Sequence, residues 1–322
     1  MLTQLQEFRD VLDELMCQCI HARISLWGAD SYSGKFIRWY ANYYHGIHID
    51  YLISSELQRD GDYEWEIFSP QVYLHNYKDI KNTTLWIAVP LNEYEMKTIE
   101  TYGITRIINF HDAIFGKDAY WQENTSEDVY SQHKTGRRDI QFLEWLEWKY
   151  CCNFVQRIPK EKYHNANFDG AGYGVSTQKE VFPILDHCHC IPHGEDRAFD
   201  FGCGKRGALV SFLDYGFDFV GGVEYTKELF DICCKNMQSL EVDRFVEIFY
   251  GDAASLTSEL DAYNWFYFNN HFSEEYMLKI INNICDSYKR KERKITIMSR
   301  SWSGYDYLQS HKLFRLTNQF NI

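Results

Sequence analysis

The run Ala198-Phe199-Asp200-Phe201-Gly202-Cys203-Gly204-Lys205-Arg206-Gly207 decides how this chain folds. Its apolar half carries an acid and then breaks into clustered glycines, the signature of a buried parallel strand turning tightly into a helix. Glycine suits that turn because a Cβ would hold the backbone away from a ligand. After the helix comes a second strand, Phe217 to Glu224, which ends in a carboxylate. Glu224 lies about 20 residues past the glycine turn, the spacing at which an acid grips a ribose hydroxyl pair in a nucleotide-binding β-α-β unit.

The next two strand ends extend the pattern. Val246 to Tyr250 leads into Gly251-Asp252-Ala253-Ala254, a polar turn with a side-chain acceptor suited to an adenine amino group. Asn264 to Phe268 runs into Asn269-Asn270-His271-Phe272. Four strand-to-loop junctions, each polar at its carboxyl end, describe a crevice along one edge of an open α/β sheet.

These residues resemble a class I S-adenosyl-L-methionine (SAM)-dependent methyltransferase. Asp200-x-Gly202-x-Gly204 is similar to the family's first motif, Glu224 to the acid that holds the SAM ribose, and Gly251-Asp252-Ala253 to the adenine-contacting loop. Asn269-Asn270-His271-Phe272 is similar to the active-site tetrapeptide, which in amino-methylating members reads Asn/Asp-Pro-Pro-Tyr/Phe. Phe268-Asn269-Asn270-His271-Phe272 also resembles the corner of Dot1-type lysine methyltransferases and their bacterial look-alikes. Two departures stand out: Arg206 replaces the third glycine, with Gly207 one place later, and no proline follows Asn269. A dinucleotide-binding Rossmann unit is the rival, since Gly202, Gly204 and Gly207 also satisfy Gly-x-Gly-x-x-Gly. The Gly-Asp-Ala turn and the Asn-Asn-His-Phe corner separate the two in favour of SAM.

The resemblance implies a set of roles. Asp200, Gly202, Cys203, Gly204, Lys205, Glu224, Tyr225, Asp252, Ala253 and Asn269 form the cofactor site. Tyr173 and Thr177 belong to it as an arm over the methionine end, by likeness to a Tyr-x-x-Ser/Thr segment ahead of the first motif. The same glycine-rich stretch, Asn167 to Thr177, also fits a plain connector, with Ser176 or Thr177 capping the helix Gln178 to Cys188. Asn269 aims an acceptor N–H or O–H, Phe272 walls its pocket, and His271 is the nearby group able to take a proton at neutral pH. His271 equally suits a surface position.

With 322 residues the chain accommodates about two domains. A net charge of −13 without a long Lys/Arg tract disfavours nucleic acid, which needs a concentrated basic footprint. No apolar stretch approaches the ~18 residues of a membrane span, and no secretory signal precedes the ten cysteines, so a cytoplasmic protein with reduced thiols is expected. Cys151, Cys152, Cys233 and Cys234 read as core residues of helices. His187-Cys188-His189-Cys190 with His193 is too crowded for usual zinc spacing, so no metal is assigned.

Ahead of residue 116 the chain alternates again. An amphipathic helix over 3–22 is followed by a strand at Arg23 to Trp27, a glycine-bearing turn, and a helix through Tyr44. Strands at Ile47 to Ser54, Leu85 to Pro90 and Arg106 to Asn109, with a helix from Glu93 to Tyr102, predict a second parallel Rossmann-like sheet. Trp27-Gly28-Ala29 with Gly34, Phe68-Ser69-Pro70 and Ile87-Ala88-Val89 resemble small Rossmann-like domains attached to bacterial enzymes that build or modify surface polysaccharides. A nucleotide bound there would want an acid at the second strand's end, where Ser54-Ser55-Glu56 stands; a structural or acceptor-positioning role is the alternative. A loop or lid is expected over 116–138 and a helix from Asp139 to Ile158.

The expected fold is therefore α/β, with two Rossmann-like doubly wound domains: 1–116, a linker over 117–164, and a methyltransferase domain over 165–322. Strand five is Ile295 to Met298 and strand six Phe314 to Ile322, one strand short of the usual class I sheet. The leading functional expectation is methyl transfer to an N or O atom of a small-molecule, nucleotide-sugar or glycan acceptor. Protein-lysine methylation and a non-catalytic scaffold with a decayed site are the alternatives.

Overall fold

Strand β1 (Arg23–Trp27) is buried at four of its five residues, so both of its faces need covering layers. The computed structural model describes residues 2–19, 22–54, 67–76, 83–115, 141–156, 158, 163, 173–269, 272–300 and 312–317. Its contacts divide into two compact units, Leu5–Phe142 and Leu143–Ile322 with Met1–Gln4. Each unit is built on its own five-stranded sheet.

In the first unit, α1 (Gln6–Cys17) precedes β1, and α2 (Tyr32–His45) follows it. Then come β2 (Tyr51–Ile53), β3 (Ile67–Phe68), α3 (Pro70–Asn76), β4 (Thr83–Ile87), α4 (Glu93–Thr101), β5 (Ile107–Asn109) and α5 (Phe110–Phe115). The strand order is β3-β2-β1-β4-β5, with every pairing parallel. Ser31 caps α2 by accepting the Gly34 N–H at 2.9 Å, and a left-handed Gly46 ends that helix. Ile53, Tyr73, Leu85, Ile87 and Ile99 fill the core on one face of the sheet.

Several boundaries differ from the sequence expectation. Of the expected strand Ile47 to Ser54, only Tyr51–Ile53 pairs. Asp50 ends the ladder because its Oδ2 accepts the Ile24 N–H at 2.8 Å, a side chain doing the work of a strand carbonyl. Strand β3 was not expected; two residues carry no readable period. The expected helix Asp139 to Ile158 is α6 (Gln141–Tyr150), which stops at Cys151 with φ 55. Cys151 is thus exposed and outside the helix, as is the half-buried Cys152, contrary to the reading of both as helical core.

The second unit continues with α7 (Gln178–His187), β6 (Arg197–Phe201), α8 (Gly207–Tyr215), β7 (Phe219–Glu224) and α9 (Lys227–Ser239). Strand β8 (Val246–Tyr250), β9 (Trp265–Asn269), α10 (Glu274–Arg290) and β10 (Thr296–Arg300) complete it. Its order, β10-β9-β6-β7-β8, is again all parallel and repeats the permutation of the first sheet. Both are doubly wound Rossmann-like α/β sheets. Residues 314–317, the start of the expected sixth strand, are irregular chain, and 318–322 lie outside the described residues. No described helix is long and apolar enough to cross a membrane.

The register aligns the carboxyl rim. Phe201 pairs with both Val223 and Phe268, Glu224 with Tyr250, and Asn269 with Arg300. The direction of winding reverses between β6 and β9, so the crevice opens where Gly202 and Asn269 emerge. From β9 to β8 are three interstrand steps of roughly 4.8 Å, a rim about 14 Å wide.

Gly221, inside β7, has no room for a side chain because a Cβ would overlap the Tyr263 hydroxyl end. Tyr263 is fully buried and its hydroxyl donates to Glu247 at 2.8 Å, so it cannot yield cheaply. Gly221→Ala is expected to destabilise the protein by about 1–3 kcal/mol, read as a lower denaturant midpoint at constant m.

Candidate functional site

The turn after β6 is shaped by two left-handed glycines, Gly202 at φ 75 and Gly204 at φ 52. The N–H groups of Gly202 and Cys203 both donate to the Val223 carbonyl at 3.0 Å, which pins the turn to the end of β7. Glu224, the last residue of β7, closes the other side. Its Oε2 accepts the Gly204 N–H at 2.8 Å, and its Oε1 the Thr226 N–H at 2.7 Å. Burial pushes the Glu224 carboxyl above the usual range, and the two N–H donors work against that shift.

Asp200 sits at the heart of β6 and is 5% exposed. Burial raises its carboxyl well above the usual range, and the like charge of Glu224 adds to the effect. Tyr173, Ser176, Asp200, Gly202 and Asn269 help enclose a cavity of about 10 Å³, the room that one water needs. Segment 173–176 forms one wall of it. A Cβ on Gly204 would come within 2.7 Å of the Tyr173 ring, and one on Gly207 would strike the Ser176 carbonyl. The glycines thus admit a close-lying chain segment.

The remaining expected site residues are placed as follows. Asn269, the last residue of β9, donates through Nδ2 to Ser176 Oγ at 2.9 Å. Asp252 is exposed at the β8 end, where its Oδ1 accepts from the Ala254 N–H at 2.8 Å and from the Tyr276 hydroxyl. Ala253 is buried beneath it. Tyr225 follows Glu224 with its side chain 42% exposed at the rim. Phe272 is half-buried and stacks on Tyr276, centroids 5.1 Å apart. Thr177 is fully buried at the N-cap of α7, its N–H donating to Glu180 Oε2 at 3.1 Å, and is not among the cavity-lining residues. His271 and Asn270 lie outside the described residues, as do Ser55 and Glu56, residues 164–172 and the loop over 116–138.

Two residues of the glycine turn are engaged away from the cavity. The Lys205 ammonium donates to Asn153 Oδ1 at 2.6 Å and to the Gln156 carbonyl. Arg206, left-handed at φ 79, is buried with its Nε 2.6 Å from Cys233 Sγ. That conformation costs a non-glycine residue about 1 kcal/mol. Cys203 packs under β7, where a Cβ on Gly222 would meet it at 2.9 Å.

Sequence reasoning named neither Tyr276 nor Asn236 and read Ser176 only as a helix cap. Asn236 had a visible signal: it falls on the stripe Leu229, Cys233, Asn236, Met237, a polar residue on the buried face of α9. Among the described residues no three His, Cys, Asp or Glu side chains converge as a metal site.

No family model matches the chain, and neither does any curated protein. Solved structures do match parts of it. A SAM-dependent methyltransferase from Thiobacillus denitrificans in complex with S-adenosyl-L-homocysteine is 16% identical over 44% of this chain and 56% of its own, with a TM-score of 0.32. A protein of the NADB-Rossmann superfamily from Streptococcus agalactiae gives 16% identity over 42% and 58%, with a TM-score of 0.32. An RNA methyltransferase from Salinibacter ruber, also with S-adenosyl-L-homocysteine, gives 18% over 30% and 60%, with a TM-score of 0.26. The chain thus spans 56–60% of the length of these three solved chains.

The buried acid at 200 yields a test. Its folded-state pKa is raised above the unfolded value, so between the two the native protein holds a proton that the unfolded chain has released. Stability therefore falls as pH rises through that window, and the penalty is absent below the ordinary carboxylate range. Asp200→Asn, which mimics the protonated form, should raise the thermal midpoint of the ligand-free protein near neutral pH. Midpoints measured across pH should show the gap between variant and parent closing toward acid.

Proposed function

We infer that the second unit binds SAM along the rim from Asn269 to Asp252 and transfers its methyl group to an N or O atom of a small-molecule, nucleotide-sugar or glycan acceptor. The observation that carries this reading is the Glu224 carboxylate fastened to the Gly204 amide across the β6–β7 junction. It presents an acid to the rim beside a glycine turn, the arrangement that a ribose diol and its neighbouring charged tail require. The donor set fits the cofactor in a second respect. Asp200 and Glu224 place two acids in a confined region, and a cationic ligand relieves their mutual repulsion.

Bound SAM supplies a sulfonium methyl group that is electrophilic without further activation. The chain's own work is then to position and to exclude water. Glu224 retains lone pairs for ribose hydroxyls while its two amide bonds hold its orientation. Asp252, braced by Tyr276 and the Ala254 amide, faces the adenine side. Asn269 spends its Nδ2 on Ser176, so its Oδ1 remains to accept the N–H or O–H of the methyl acceptor. Phe272, three residues past Asn269, stacks on the Tyr276 ring that braces Asp252.

Titration calorimetry with S-adenosyl-L-homocysteine tests the reading. The wild-type protein is expected to bind one equivalent, and Glu224→Ala to weaken binding by at least about tenfold, or ~1.4 kcal/mol. Asn269→Ala should weaken it less than Glu224→Ala does, since the Asn269 amide is shared between the cofactor wall and the acceptor. Wild-type protein that shows no binding heat would remove the proposal.

A further inference from the structure

Lys205, in the glycine turn, carries a charge into full burial with none of its surface exposed, yet its ammonium serves a different segment. That segment is a strap, Cys152 to Gln156, directly after α6. Its backbone is held at nearly every residue. The Asn153 N–H donates to Asn236 Oδ1 at 2.8 Å, and the Asn153 carbonyl accepts from Asn236 Nδ2 at 2.9 Å. The same Nδ2 reaches the Lys205 carbonyl at 3.1 Å. Glu147 of α6 accepts the N–H groups of Phe154 and Val155. The Phe154 carbonyl accepts from the Tyr173 hydroxyl, and the Tyr173 ring lies 5.2 Å from the Lys205 ammonium.

We propose that Lys205 is a positioning residue: its ammonium fastens the strap across the glycine turn and so fixes the Tyr173 ring against Gly204, which sets the wall of the cofactor site. The inference rests on the SAM reading of that site and adds a residue which that reading does not use. A lysine is suited to the task because three donors on one small head can meet two oxygens on different residues at once. Asn153 supplies a side-chain oxygen and Gln156 a main-chain one, so the strap is gripped at both ends. The ionisable groups that face this head are the Glu147 carboxyl and the Tyr173 phenol, with Tyr163 beyond. Burial drives both Glu147 and Tyr173 toward their neutral forms. Burial likewise lowers the ammonium to about 8, against the opposing pull of Glu147.

That titration separates positioning by charge from mere packing. S-adenosyl-L-homocysteine affinity is measured by calorimetry for wild type and Lys205→Met from below to well above pH 8. Using one ligand for both cancels the titration of its own amino group. At the acid end the variant should bind about tenfold more weakly, and the offset should narrow toward the alkaline end, where the neutral amine keeps only two donors and loses the charge that strengthens them. An offset constant with pH, or no offset, overturns the proposal. Asn153→Ala, at a half-buried position, covers the case in which Lys205→Met does not fold. It should give a similar loss and faster hydrogen exchange at the Phe154 and Val155 amides, and the double variant should be no worse than either single one. Additive losses, or unchanged exchange, count against Lys205 as the fastener. If wild-type protein binds no S-adenosyl-L-homocysteine, the cofactor reading falls, and the exchange rates of Phe154 and Val155 alone decide whether Lys205 holds the strap.

Discussion

A buried carboxylate, Glu224, accepts one amide N–H from the glycine turn and another from the residue two places on, and the rim depends on that joint. A carboxylate so placed carries a desolvation penalty, which its two charge-assisted bonds reduce. The bond to Gly204 is possible because the turn is left-handed at Gly202 and Gly204 and directs an amide toward β7. Replace the acid, and the turn loses its anchor as well as the rim its acceptor.

The other rim residues are braced in the same manner. Asn269 leans on Ser176, and Asp252 on Tyr276. Each brace uses one end of the side chain and fixes the orientation of the rest. Asp200 differs: its buried carboxyl lines the small cavity beside the like charge of Glu224. Burial and that like charge together favour the protonated form, so the stability of the unit depends on pH through this residue.

Behind the glycine turn lies a second layer of polar contacts. Lys205 and Asn236 hold the strap, while Arg206 occupies a left-handed position and reaches Cys233. These groups are deeply buried and mutually satisfied, the condition under which polar networks specify one geometry. The consequence for the front of the turn is indirect. Tyr173, tied by its hydroxyl to the strap, is held against the only face of Gly204 that a Cβ would have filled.

Apolar runs breaking into glycine or polar residues marked the ends of β6, β7 and β9, because a strand buried on both faces leaves a continuous hydrophobic record, whereas the half-exposed edge strand β8 was marked by the turn Gly251-Asp252 after it. The spacing between Gly204 and Glu224 likewise marked one β-α-β unit, which has a nearly constant length, but the bond between the two residues came only from the structure. The same logic failed where the signal was short or local chemistry intervened. Strand β3 has two residues, Asp50 replaces a strand partner with its side chain, and Cys151 ends α6 in a left-handed turn. What only the tertiary structure decided is which side chains brace which. Asn269 and Ser176 are 93 positions apart, and Lys205 and Asn153 are 52 apart. Hydrogen bonds of that reach follow from how helices and straps pack on the sheet, and packing over such separations leaves no period in the sequence to read.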